Sequence, residues 1–142
     1  PAMALVEVIA GQRTDPAVTA ATVALARAFG KTPVQARDTP GFIVNRVARP
    51  FSGEALRLLG EQLLPLEDID CLIRLAGFRM GPFELMDLIG IDINLAVTQS
   101  VYDQFFGEPR FRPHLVQQKM VEAHLLGKKT GRGFYDHSGQ KS

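Results

Sequence analysis

The chain of 142 residues is 46% hydrophobic, enough apolar content for one domain to bury a proper core. Sixteen Lys and Arg face fifteen Asp and Glu, leaving a net charge of +1 with the basic residues scattered, which gives neither nucleic acid nor an anionic membrane a footing. No apolar run approaches the roughly 18 residues of a membrane span, no signal-peptide pattern opens the chain, and a single cysteine, Cys71, excludes an internal disulfide framework. A cytoplasmic protein is expected, with Cys71 a small apolar side chain on a helix.

In chain order, Pro1 to Ile9 reads as an extended segment, with Met3, Leu5, Val6, Val8 and Ile9 apolar around the lone acid Glu7. No hairpin partner follows it directly. The expectation is a strand whose sheet mates belong to sequence outside this chain. Thr14-Asp15-Pro16 then supplies an N-cap acid and a proline at the first helical position, and Val18, Ala21, Thr22, Leu25, Ala28 and Phe29 recur at helical spacing until Gly30. Lys31 to Thr39 reads as a short extended connector, closed by the turn Pro40-Gly41.

A long helix is expected next. Val44, Val47, Ala48, Phe51, Ala55, Leu58 and Leu59 form an apolar stripe opposite Arg46, Arg49, Glu54, Arg57 and Glu61, with Pro50 placed to kink it. After Pro65, Glu67 to Ala76 predicts a short helix with acids in its first turn, ended by Gly77. Helices over Phe83 to Ile89, over about Asp92 to Phe106, and from Leu115 to Leu126 follow, separated by Gly90 and the bend Pro109 to Pro113. The fold class is mainly α, five or six helices with almost no strand. Gly127 to Ser142 begins as a basic glycine-rich run and ends in the polar His137 to Ser142, a linker or frayed end.

Generic chemistry fails on spacing. His114 and His124 lie ten residues apart, about 280° around an ideal helix, and no HExxH or CxxC is present, so no metal is expected. Gly127-Lys128-Lys129-Thr130 departs from a Walker A loop at Glu122 and Lys129, and Gly131-Arg132-Gly133 departs from GxGxxG at Asp136. Two polar residues stand out. Glu7 is either on the solvent side of an edge strand or a carboxylate that needs a partner. Asn45, on the first turn of the long helix, either bonds the local backbone or faces a ligand.

Five segments, in order, decide between these readings: Pro1-Ala2-Met3 with Leu5-Val6-Glu7-Val8-Ile9, Asp38-Thr39-Pro40-Gly41-Phe42-Ile43-Val44-Asn45-Arg46, Glu67-Asp68-Ile69-Asp70, Met80-Gly81-Pro82-Phe83-Glu84-Leu85, and Gly127-Lys128-Lys129-Thr130-Gly131-Arg132-Gly133-Phe134-Tyr135. Together they resemble the L-3-hydroxyacyl-CoA dehydrogenase family over nearly the whole chain. Arg110-Phe111-Arg112-Pro113, with Gln117 and Gln118, is most similar to the bacterial branch that oxidises 3-hydroxyadipyl-CoA in phenylacetate breakdown.

The resemblance implies the helical C-terminal domain of an NAD-dependent enzyme, of 6-phosphogluconate-dehydrogenase-like type, forming the acyl-CoA cleft and a homodimer. The expected division is residues 1–13 as the end of a domain-connecting strand, 14–136 as the helical substrate and dimerisation domain, and 137–142 as a polar tail. The Rossmann domain and the catalytic histidine, a few residues upstream of Pro1 in the family, would lie in cis outside the 142 residues, leaving this chain inactive alone. Glu7 matches the carboxylate that orients that histidine, Asn45 the active-site asparagine, and Lys129 a lysine near the cofactor. Two alternatives stay open: a helical dimerisation module without catalytic contribution, and a related sugar-acid dehydrogenase domain.

Overall fold

The computed structural model describes residues 3–139. Pro1 and Ala2 of the first motif, and Gln140 to Ser142 of the expected tail, lie outside the described residues. The chain divides into two compact units, Pro1–Arg46 and Val47–Ser142.

In the first unit, strand β1 (Leu5–Ala10) runs into helix α1 (Pro16–Ala28) and then strand β2 (Thr32–Arg37). The strands pair in parallel, from Leu5 opposite Thr32 to Ala10 opposite Arg37, and the helix supplies the crossover that parallel pairing demands. Asp15 caps α1 as expected, its Oδ1 accepting from the Ala17 N–H at 2.7 Å. Thr19, Val23 and Ala26 recur at four and three residues to give α1 its buried face, with Val8 buried on β1. Gly30, with φ of 69°, ends the helix. The expected connector from Lys31 is therefore a strand, and β1 does have a mate inside this chain. The helix that the sequence reading assigns to a domain beginning at residue 14 falls in one unit with β1.

Helix α2 (Val44–Gly60) begins in the first unit and continues unbroken through Pro50. The second unit adds α3 (Leu66–Leu75), α4 (Pro82–Ile89), α5 (Ile91–Gln104) and α6 (Leu115–Glu122), with short 3-10 turns at Pro109–Phe111 and Lys128–Thr130. Ala55 and Leu56 of α2 meet Ile69 of α3, Phe83 and Met86 of α4 and Ile91 of α5 in one core. Cys71 is exposed on α3. None of the described helices is long and apolar enough to cross a membrane.

A buried polar layer crosses this core. Arg49 Nη1 donates to the Asn94 carbonyl at 3.0 Å and to Thr98 Oγ1 at 3.2 Å, and Gln117 Nε2 donates to Asn94 Oδ1 at 2.8 Å. Burial lowers the Arg49 guanidinium below its ordinary value. In the Arg110 to Pro113 segment, Phe111 is buried and stacks on Phe105 with ring centroids 5.0 Å apart.

Candidate active site

Glu7 sits in the middle of β1, half-buried, opposite Val34 of β2. Its Oε1 accepts two backbone hydrogen bonds, from Ile43 N–H at 2.8 Å and Val44 N–H at 3.2 Å. These are amides at the start of α2, where a helix has no carbonyl partners to offer and its dipole favours negative charge. The second oxygen, Oε2, accepts no hydrogen bond from the described residues. Glu7 is thus the carboxylate that needed a partner, and the partner is backbone 36 residues away in sequence.

The turn before α2 is tightly wound. Gly41 and Phe42 have φ of 73° and 46°, closed by Phe42 N–H to the Thr39 carbonyl at 2.9 Å and Arg46 N–H to the Gly41 carbonyl at 3.0 Å. Asn45 follows on the first turn of α2, exposed. Glu7 and Asn45 are therefore brought to one turn of structure.

Lys129 belongs to the second unit. Its ammonium donates to Asp92 Oδ2 at 2.7 Å, on the first turn of α5. That bond, opposed by burial, holds the Asp92 carboxyl below the usual carboxylate range. Gly90 precedes α5 with φ of 103°, and a Cβ there would stand 3.1 Å from the Lys129 ammonium, so the glycine makes room for the pair.

Two buried carboxylates explain motifs whose role the sequence left open. Asp70 on α3 accepts from Phe83 and Glu84 N–H at the start of α4, each at 3.0 Å, and from the Tyr135 hydroxyl at 2.8 Å. Burial, then the bond to Asp70, pushes the Tyr135 hydroxyl above its ordinary value. Asp87 on α4 accepts from Phe134 N–H and Tyr135 N–H, both at 2.9 Å, and contacts His137 Nε2 at 2.7 Å. Gly127 and Gly133 press against Asp87, since a Cβ on either would come within 2.3 Å of its atoms. The glycine-rich run is thus packed onto α4. His137, expected to begin a frayed tail, is anchored on a fully buried carboxylate. Asp87 lies one turn after Phe83, so its position on an apolar helical face was a signal open to sequence reading.

The β1–α1 turn closes on itself, Gly11 N–H donating to Thr14 Oγ1 and Thr14 N–H to the Gly11 carbonyl, both at 3.1 Å. Asp38 Oδ2 lies 3.9 Å from where a Cβ on Gly11 would stand.

Residues 41–137 match the family described as 3-hydroxyacyl-CoA dehydrogenase, C-terminal domain. The chain belongs to that family. Residues 1–39, which hold β1, α1 and β2, match the model described as 3-hydroxyacyl-CoA dehydrogenase, NAD binding domain. The 3-hydroxyadipyl-CoA dehydrogenase of Escherichia coli (strain K12) is 53% identical over 137 residues, 96% of this chain and 29% of the relative. Human mitochondrial hydroxyacyl-coenzyme A dehydrogenase is 41% identical over 96% of the chain and 44% of its own length. Among solved structures, a 3-hydroxybutyryl-CoA dehydrogenase of Escherichia coli K12 superposes with a TM-score of 0.94 at 51% identity, covering 99% of this chain and 30% of that one. The (S)-3-hydroxybutyryl-CoA dehydrogenase of Ralstonia eutropha gives 0.91 at 43% identity, covering 95% and 48%. This chain thus spans between about a third and a half of the length of these relatives.

Proposed function

We propose that this chain serves an NAD-dependent 3-hydroxyacyl-CoA dehydrogenase, closing the substrate cleft and holding two groups of the site that converts a 3-hydroxyacyl-CoA to the 3-oxoacyl-CoA. The observation that carries the proposal is the seat of the Glu7 carboxylate on the turn that leads into Asn45. Family membership makes the same assignment chemically coherent.

Bound NAD supplies the hydride acceptor for C3. Of this chain's own groups, Glu7 offers Oε2 to the histidine base that the family places upstream, orienting the ring and stabilising its cation once the 3-hydroxyl proton has moved there. The Asn45 amide donates to an oxygen of the substrate and helps hold the reacting carbon in line. Lys129 is assigned to the cofactor, and any phosphate or ribose oxygen that reaches it shares the ammonium with Asp92. In substrate choice, 3-hydroxyadipyl-CoA is favoured by the 53% identity to the enzyme named for it.

The test is a chimera in which the rest of the NAD-binding domain, with its histidine, comes from one of the relatives. It should oxidise 3-hydroxyadipyl-CoA with NAD, faster than 3-hydroxybutyryl-CoA and far faster than a sugar acid, and Asn45→Ala should lower kcat by at least a hundredfold with the fold intact. Turnover unaffected by that substitution would sink the active-site reading and leave the helical association module in its place. The 142-residue chain alone should show no turnover.

The proposal includes a homodimer. Leu63, Leu72, Leu75 and Phe78 of the second unit are more than half exposed, apolar surface of the kind that an isologous contact covers. A monomer by sedimentation at high concentration would argue against it.

A further inference from the structure

We propose that Glu7 is a positioning residue for Asn45 as well as for the histidine base, one carboxylate holding both partners of the 3-hydroxyl group. This rests on the active-site reading above and goes beyond it by giving the carboxylate a second task. Two backbone amides donate to one oxygen of Glu7, and both belong to the residues immediately before Asn45. The local turn cannot do this work by itself. Its own hydrogen bonds use the N–H groups of Phe42 and Arg46, and the amides between them, Ile43 and Val44, are turned to Glu7.

The backbone there also needs an outside hold. Phe42 carries a side chain at φ of 46°, a conformation that persists in such residues only when neighbouring contacts enforce it. Glu7 supplies that contact from β1, where Val8 beside it is buried and the register with β2 fixes the strand. The start of α2, and with it the Asn45 Cα, is thereby referenced to the strand that carries the orienting carboxylate. Oε1 sets the asparagine, and Oε2 is left to set the histidine.

Two substitutions separate the tasks. Glu7→Gln keeps a carbonyl oxygen for the two amides but removes the charge that stabilises an imidazolium. Glu7→Asp keeps the charge but draws the carboxylate back by about 1.5 Å, one carbon–carbon bond. In the 142-residue chain, hydrogen exchange at the Ile43 and Val44 amides should quicken at least tenfold in Glu7→Asp and stay within threefold of the parent in Glu7→Gln. In the chimera, Glu7→Gln should alter the pH profile of kcat, and its cost should multiply with that of Asn45→Ala. Glu7→Asp with Asn45→Ala should cost little more than the worse single change, because a displaced Asn45 has little left to lose.

Unchanged exchange in Glu7→Asp, or fully multiplicative costs for Glu7→Asp with Asn45→Ala, overturns the positioning role. If Asn45→Ala alone leaves turnover intact, the active-site reading falls and this proposal with it, and that result is distinguishable because the exchange experiment does not involve turnover.

Discussion

Replacing Asp87 by asparagine changes one oxygen to an NH2 group in a position where three donors converge. Phe134 N–H and Tyr135 N–H approach different oxygens, Oδ1 and Oδ2, and His137 shares Oδ2. An amide satisfies only one of the two backbone donors, whichever way it is turned, and presents N–H to N–H at the other. The side chain is fully buried, so water cannot repair the loss. Leaving one buried donor unmet costs about 1–3 kcal/mol, and a charge-assisted bond becomes a neutral one besides. A total near 3 kcal/mol is expected, which for a unit of about 100 residues corresponds to a fall in Tm of roughly 12–24 °C. Thermal unfolding followed by far-ultraviolet circular dichroism measures it, with Asp136→Asn as the exposed control. A drop below about 4 °C for Asp87→Asn would refute the claim that this carboxylate holds the Phe134 to His137 segment onto α4.

Four further outcomes follow from particular residues. Gly127→Ala should destabilise by more than about 3 kcal/mol, since its Cβ would meet the Asp87 carbonyl oxygen at 2.3 Å and its φ is 98°; Gly53→Ala, in open space inside α2, should instead stabilise by about 0.5–1 kcal/mol in urea denaturation. His114 caps α6 by accepting the Val116 N–H on Nδ1 at 3.3 Å, and burial, then the nearby Arg57, lowers its pKa below 6.5. Its folded form resists protonation, so that contribution to stability is complete above pH about 6.5 and is lost as pH falls below it. Tm measured across pH 7.5 to 5 should show the decline, and His114→Asn, which keeps a capping acceptor without titrating, should flatten it. Lys129→Ala in the chimera should raise the KM for NAD several-fold while leaving the KM for acyl-CoA within twofold; equal effects on both would return Lys129 to a purely structural pairing with Asp92.

Much of the helical part was legible because its signals are local. Asp15-Pro16 and Gly30 bracket α1, and the stripe from Val44 to Leu59 marks α2, since caps, glycines and periodicity act within a few residues. Strand β2 was not legible for the opposite reason. Thr32–Arg37 carries Pro33 and has little alternation, and what makes it a strand is pairing with β1 across a 13-residue helix. The partners of Glu7, Asp70 and Asp87 were hidden in the same way. Sequence shows a carboxylate in apolar surroundings, but the groups that satisfy it are backbone amides 36, 13 and 47 residues further on, and amides carry no side-chain signature. Asn45 and Lys129 stand out only by motif resemblance, which carries no contacts, and the pairing of Lys129 with Asp92 was the part it could not supply.

The anchoring of the terminal motif on α4 has a consequence for synthesis. Asp70 and Asp87 are enclosed by helices that are made first, and the Phe134 and Tyr135 amides, His137 and the Tyr135 hydroxyl that satisfy them follow 47 to 65 residues later. A nascent chain that stops short of residue 134 would have to bury two carboxylates with donors missing, or leave its core open to water. The second unit should therefore complete its packing only when residues 134–137 clear the ribosome, and arrested chains ending before Phe134 should be protease-sensitive where chains extended past His137 are not.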